Sequence, residues 1–141
     1  MPLASVVALF NELCHDGINY RLGEKDPNTG FLDCSGWIHY ACERYAPTWA
    51  MPDGSYNQMD WCTRQQLRGV KYSEAAHADA ARLFIAFITA DDTHNIGHVW
   101  FLNYGETMEC HGGGGIDSRD WDTPVLLTEV SHCFELPAKS G

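Results

Sequence analysis

No apolar run in this chain approaches the roughly 20 residues that cross a bilayer, which excludes a helical membrane span. Basic residues are scarce. Nine Lys and Arg stand against nineteen Asp and Glu, a formal net charge of -10. Such a surface repels phosphates, so nucleic acid is not an expected partner, and an anionic polymer would have to be held by local contacts. No Lys or Arg precedes the apolar stretch 3–10, and no small-residue cleavage pattern follows it. A signal peptide is therefore not expected. The corresponding expectation is synthesis in the cytoplasm, with any export left to a lysis system, a phage particle or a secretion machine. Internal repeats are missing, and the only low-complexity tract is Gly112 to Gly115. No P-loop, dinucleotide fingerprint or G-x-S-x-G nucleophile elbow occurs.

What is present fits one globular domain over residues 1–141. The length suits a single core, and 45% hydrophobic with 20% charged residues is ordinary globular usage. Six cysteines would allow three disulfides, but no CxxC pair exists. Cys34 and Cys42 fall in one expected helix, about 12 Å apart along its axis and beyond disulfide reach. Free thiols are the simpler expectation.

Helical periodicity comes first and strand periodicity later. Val6, Leu9, Phe10 and Leu13 recur at helical spacing before Gly17. Turn formers fill Asn19 to Phe31. Cys34, Ile38, Ala41 and Tyr45 then share one helical face that Pro47 ends. Short helices are expected around Tyr56 to Leu67 and Ser73 to Ala81. Strands are expected at Leu83 to Thr89, His98 to Tyr104, Glu106 to His111, Val125 to Val130 and Cys133 to Leu136. This order predicts an α+β fold with N-terminal helices packed on an antiparallel sheet of about five strands.

Cys34 lies at the first turn of its helix, where free N–H groups and the helix dipole favour a thiolate, and Asp33 can cap that turn. A thiol hydrolase also needs an imidazole near the sulfur and a polar group that fixes the imidazole tautomer. His98 opens a strand directly after Gly97. With a two-residue loop at Tyr104-Gly105, Asn103 pairs with Glu106, and counting outward sets His98 opposite His111. His111 is then the expected orienting residue. Glu109, one pair nearer the turn on the same face, is the alternative. His94, His98, Cys110 and His111 offer zinc-type donors, but strand alternation turns Cys110 away and His94-x-x-x-His98 is not helical. No metal or cofactor is expected. His15, His39, His77, His94 and His132 have no partner argument. Gly112 to Gly115 reads as a flexible rim, and Trp49 and Trp61 read as packing residues.

Tyr20-x-x-Gly23, Asp33-Cys34-Ser35-Gly36, Gly97-His98-Val99 and Glu109-Cys110-His111-Gly112 together resemble the NlpC-type cell-wall peptidases, a papain-like family. The resemblance covers about residues 18–121. It implies a nucleophile at Cys34, a base at His98, a polar third residue on the next strand, and Tyr20, Asp33 and Ser35 on the substrate side of the cleft. It also implies hydrolysis of the bond between D-glutamate and a diamino acid in peptidoglycan stem peptides, in enzymes that phages or secretion systems sometimes carry. The chain departs from the family pattern at Ala81-Arg82, where a Gly-Asp pair is usual, and at Trp100, where a small residue is usual. Two other readings share the fold: a thiol amidase or acyltransferase of different specificity, and a non-catalytic wall-binding or phage structural module.

Overall fold

The spacing of Leu3, Val6, Leu9, Phe10 and Leu13 puts five apolar side chains on one stripe, and all five are buried in α1 (Leu3–His15). The computed structural model describes residues 1–90 and 97–138, so His94 lies outside the described residues. After α1 the chain forms β1 (Asn19–Tyr20), a 3-10 turn at Pro27–Thr29 and β2 (Phe31–Leu32), the two short strands running parallel. The expected loop therefore holds a small two-stranded ladder.

α2 (Cys34–Tyr45) begins at Asp33, whose carboxylate accepts from the Gly36 N–H at 2.6 Å. It ends before Pro47, which opens a 3-10 turn (Pro47–Trp49). α3 (Ser55–Arg64) and α4 (Tyr72–Ala76) follow. The remaining elements are β3 (Leu83–Ile88), β4 (His98–Asn103), β5 (Glu106–His111), β6 (Gly115–Asp117), α5 (Pro124–Glu129) and β7 (His132–Leu136). The sheet order is β6-β5-β4-β3-β7, with every neighbouring pair antiparallel. This is the expected α+β architecture, with five strands.

One of the five strands is not the one predicted. Residues 125–129 of the predicted strand lie in α5, and the fifth strand is β6, which begins at the last glycine of the stretch read as a rim. Pro124 sits in the first turn of α5, where its fixed φ suits a helix and its missing N–H costs nothing. A strand there would bury alternate residues. Instead only Leu126 of α5 is buried, while Val125 and Leu127 are exposed.

Both faces of the sheet are covered, so all six residues of β3 are buried. One face, with Ile85, Phe87, Val99, Phe101 and Met108, packs into the main core with α1 and α2. The other, with Phe84, Ala86, Trp100 and Leu102, packs against Tyr72 of α4 and Leu126 of α5. Trp37 fixes α2 on the sheet. Its indole N–H donates to the Met108 carbonyl at 3.0 Å, and its ring lies 5.8 Å from that of Phe101, edge on.

Close backbone approach fixes the start of α2 as well. A Cβ on Gly36 would collide with the Glu24 carbonyl and lie 2.8 Å from the Asp33 carboxylate, so only glycine lets this loop lie on the helix. Gly36→Ala is expected to lower stability by about 1–3 kcal/mol in urea melts. Gly112→Ala, where nothing lies within 4 Å, should cost clearly less. Equal losses in the two variants would show that the contact carries no constraint.

Candidate active site

Asp33 ties three backbone segments together at the N-terminus of α2. Beyond Gly36, its carboxylate accepts from the Gly23 N–H at 2.8 Å and the Ser35 hydroxyl at 3.3 Å. The Asp33 N–H donates to the Glu24 carbonyl at 2.9 Å. Gln58 of α3, fully buried, donates from Nε2 to the Ser35 carbonyl at 3.0 Å and so braces the same turn from the other side. Nothing in the spacing around Gln58 marks that role. Tyr20 of β1 stands close enough for Cys34 and Asp33 to act on it, and burial first, then those neighbours, raise its phenol pKa.

The Cys34 sulfur lies 3.9 Å from the Gly97 carbonyl, at the entrance of β4. A Cβ on Gly97 would lie 2.7 Å from the Ile88 carbonyl and 2.8 Å from the Ser55 hydroxyl, so glycine is needed for this approach too. Burial, followed by the Asp33 carboxylate, pushes the Cys34 thiol up to about 11, and the N–H groups of Val99, Ser35 and Cys34 offset this only in part. The sequence reading expected a helix N-terminus to favour the thiolate; here desolvation outweighs it. The other buried thiols, Cys42, Cys62, Cys110 and Cys133, are pushed further, to about 12. All six cysteines are free, and only Cys14 is exposed.

The β4–β5 hairpin has the expected two-residue loop, with Asn103 paired to Glu106 and both Tyr104 (φ 53) and Gly105 (φ 77) left-handed, as a type I′ turn requires. Of the two candidates left open for orienting His98, the structure brings Glu109 to it. His98 Nε2 lies 2.8 Å from Glu109 Oε1. The expected contact with His111 is not formed, because the His111 ring turns to β6 and bonds Asp117 Oδ2 at 2.8 Å. The β4–β5 ladder runs from Asn103–Glu106 to Phe101–Met108, and beyond it β5 pairs with β6, Glu109 opposite Asp117 and His111 opposite Gly115. That second partner strand offers His111 a carboxylate of its own.

Glu109 is fully buried. Arg119, on the segment after β6, grips it from two nitrogens, Nη2 to Oε1 at 2.6 Å and Nε to Oε2 at 2.9 Å, and the Thr107 hydroxyl donates to Oε2. Burial alone would raise the Glu109 pKa, but the bonds from His98, Arg119 and Thr107 overcome it and hold the carboxyl down at about 2. An ionised carboxylate has only acceptors, so Nε2 of His98 carries a hydrogen and Nδ1 of the neutral ring carries the lone pair. Under the ring lies Trp100, fully buried and stacked at 5.3 Å between centroids. It is a floor beneath the histidine. A cavity of 290 Å³ is lined by His98 together with His111, Arg119, Ile88, Val125 and Leu126.

Among the described residues no three His, Cys, Asp or Glu side chains group to hold a metal. The donors considered for zinc face different partners, Cys110 the Leu32 carbonyl, His111 Asp117 and His98 Glu109. Among the described residues no helix is long and apolar enough to cross a membrane.

No protein-family model and no curated protein sequence matches the chain. Solved structures do. A lipoprotein-like NLP/P60-family protein from Staphylococcus aureus superposes with a TM-score of 0.61 at 20% identity, over 92% of this chain and 41% of that one. This chain thus spans less than half of that protein. The NlpC/p60 domain of the peptidoglycan hydrolase SagA superposes with a TM-score of 0.59 at 18% identity, over 96% of this chain and all of that one. The fold is that of papain-like NlpC/P60 domains.

The Glu109 cluster has a pH signature. A carboxyl at 4.5 when free and about 2 in the fold contributes stability that is complete above pH 4.5 and lost as pH falls toward 2. The loss amounts to about 3 kcal/mol. Glu109→Gln lacks this loss, so the stability gap between parent and variant should narrow between pH 5 and pH 3 in urea melts. A gap that stays constant with pH would show that Glu109 does not titrate differently in the fold.

Proposed function

We propose that this chain is a cysteine peptidase of the cell wall that hydrolyses an amide bond in peptidoglycan stem peptides, of the D-glutamyl–diamino acid type. The observation that carries the reading is the placement of Cys34 at a capped helix N-terminus against the Gly97 carbonyl, at the entrance of β4, the strand that opens with His98, whose Nε2 is fixed on a buried carboxylate. The fold shared with a peptidoglycan hydrolase domain supports the substrate class.

Cys34 is the nucleophile, His98 the base and Glu109 the third residue. Since the Cys34 thiol is pushed up to about 11, Cys34 rests as the thiol and needs a base to lose its proton. Nδ1 of His98 takes the thiol proton as Cys34 attacks the carbonyl carbon, giving a tetrahedral oxyanion and an imidazolium. The Cys34 backbone N–H, beside the sulfur, serves the oxyanion. The imidazolium then protonates the departing amine, the C–N bond breaks and a thioester remains. Water attacks the thioester, giving its proton back through His98, and the acid leaves as Cys34 recovers its thiol.

Tyr20, Asp33 and Ser35 stand on the acyl side, next to Cys34. The cavity beside His98 is not lined by Cys34, so it receives the leaving-group side, since that amine departs over the imidazole. A route to the wall through a phage particle or secretion machinery belongs to the same proposal.

Incubation with purified muropeptides, followed by mass spectrometry, is the test. The parent and Cys14→Ala should release the cleaved stem peptide, while Cys34→Ala and His98→Ala should release none yet melt cooperatively. Glu109→Gln should fall roughly 10²-fold or more, and His111→Ala far less. Turnover retained by Cys34→Ala sinks the mechanism, and cleavage of a different amide by the parent moves the chain to an amidase of other specificity.

A further inference from the structure

Arg119 occurs in no motif of the site, yet its side chain is committed to Glu109. Two of its nitrogens grip the two carboxylate oxygens at 2.6 and 2.9 Å, in the parallel fork that matches guanidinium to carboxylate. Its backbone is anchored independently. The Arg119 N–H donates to the Thr107 hydroxyl at 2.8 Å, and its carbonyl accepts from the Thr107 N–H at 2.9 Å. Thr107 in turn donates its hydroxyl hydrogen to Glu109. One residue thus delivers a cation to the carboxylate that fixes His98, and the chain path there does not depend on that side chain.

We propose that Arg119 is a positioning residue: its fork aims Glu109 at Nε2 of His98, and its charge keeps Glu109 ionised and thereby sets the lowest pH at which His98 can take a proton from Cys34. This rests on the reading of Cys34 and His98 as nucleophile and base. Without a neighbouring cation, a fully buried carboxylate bonded to an imidazole holds an added proton on the pair more tightly, because nothing else balances its charge. The other groups around His98 do not supply that balance. From β5, His111 is bonded to Asp117 of β6. On the α2 side, Asp33 is taken up by Gly23, Ser35 and Gly36, and Cys34 is a thiol. From α4, the Tyr72 hydroxyl donates to the Trp121 carbonyl. β3 and α5 present Ile88, Val125 and Leu126 to the cavity. Among the described residues Arg119 is the one Lys or Arg bonded to Glu109.

Two profiles test this in Arg119→Met and Arg119→Lys. The first is the acid limb of kcat/KM against pH. It should move up by about one pH unit in Arg119→Met and stay near the parent position in Arg119→Lys, which keeps the charge without the fork. The second needs no substrate: the carboxyl carbon signal of Glu109, followed by NMR in protein labelled at glutamate. In the parent it should remain that of a carboxylate down to the pH at which the fold is lost, and in Arg119→Met it should begin to titrate at least one unit higher. A uniform fall in rate with both profiles in place would make Arg119 merely structural and overturn the proposal. So would an equal displacement in Arg119→Lys; if Arg119→Met does not fold, Arg119→Gln carries the same two profiles. If the parent cleaves no muropeptide, the NMR arm still decides the role of Arg119, and the loss falls on the proposed activity.

Discussion

A carboxylate with no exposed surface is the constraint on which this end of the molecule depends. An ion the size of Glu109 loses several kcal/mol of hydration when it is enclosed, and the fold recovers this only by delivering donors from three places. His98 comes from β4, Thr107 from β5 itself and Arg119 from the segment after β6. Each must be in position for the carboxylate to remain ionised. The β4–β5 register, the path of the chain through β6 and the anchoring of Arg119 on Thr107 are therefore coupled through one pair of oxygens. A slip of one residue in β4–β5 would put Glu109 on the α2 face, among Val99, Phe101 and Met108, where no donor waits.

Asp33 does similar work at the N-terminus of α2, beside Cys34, with different partners. Its oxygens are satisfied by two backbone N–H groups and a hydroxyl, with no cation among them. The two carboxylates act oppositely on what they hold. Glu109, balanced by Arg119, fixes the orientation of the His98 ring, whereas Asp33 adds to the burial that raises the Cys34 thiol.

Much of this was legible in the sequence, for identifiable reasons. The α2 stripe, the capping Asp33 and the two-residue turn at Tyr104-Gly105 are local features, and local features survive translation into structure. What failed depended on partners distant in the chain. Residues 125–130 have the composition of a strand, but they join no strand of the sheet, and Pro124 starts a helix that needs to bury only Leu126. β6 is three residues long and begins with Gly115, too short for any periodicity to register. The choice between His111 and Glu109 turned on β6 as well, since Asp117 takes the His111 ring. Arg119 carried no signal at all, because its meaning lies in a carboxylate ten residues earlier across two strands.

Trp100 shows how the fold absorbs a departure from the family pattern. A small residue two positions after the histidine would leave the back of the sheet open at this point. Here the indole fills it, edge on to Tyr72 at 5.9 Å and in one cluster with Leu126. The short helices α4 and α5 supply those two side chains, and their brevity is compatible with stability because each needs to bury only a few groups on the sheet. The indole stacks beneath His98 at 26° between ring planes, so the imidazole is held from below by a rigid surface and from its edge by Glu109. The stack and the hydrogen bond together leave the ring little freedom to turn, so a large residue in this place gives up room beside His98 and gains an imidazole whose Nδ1 direction is fixed.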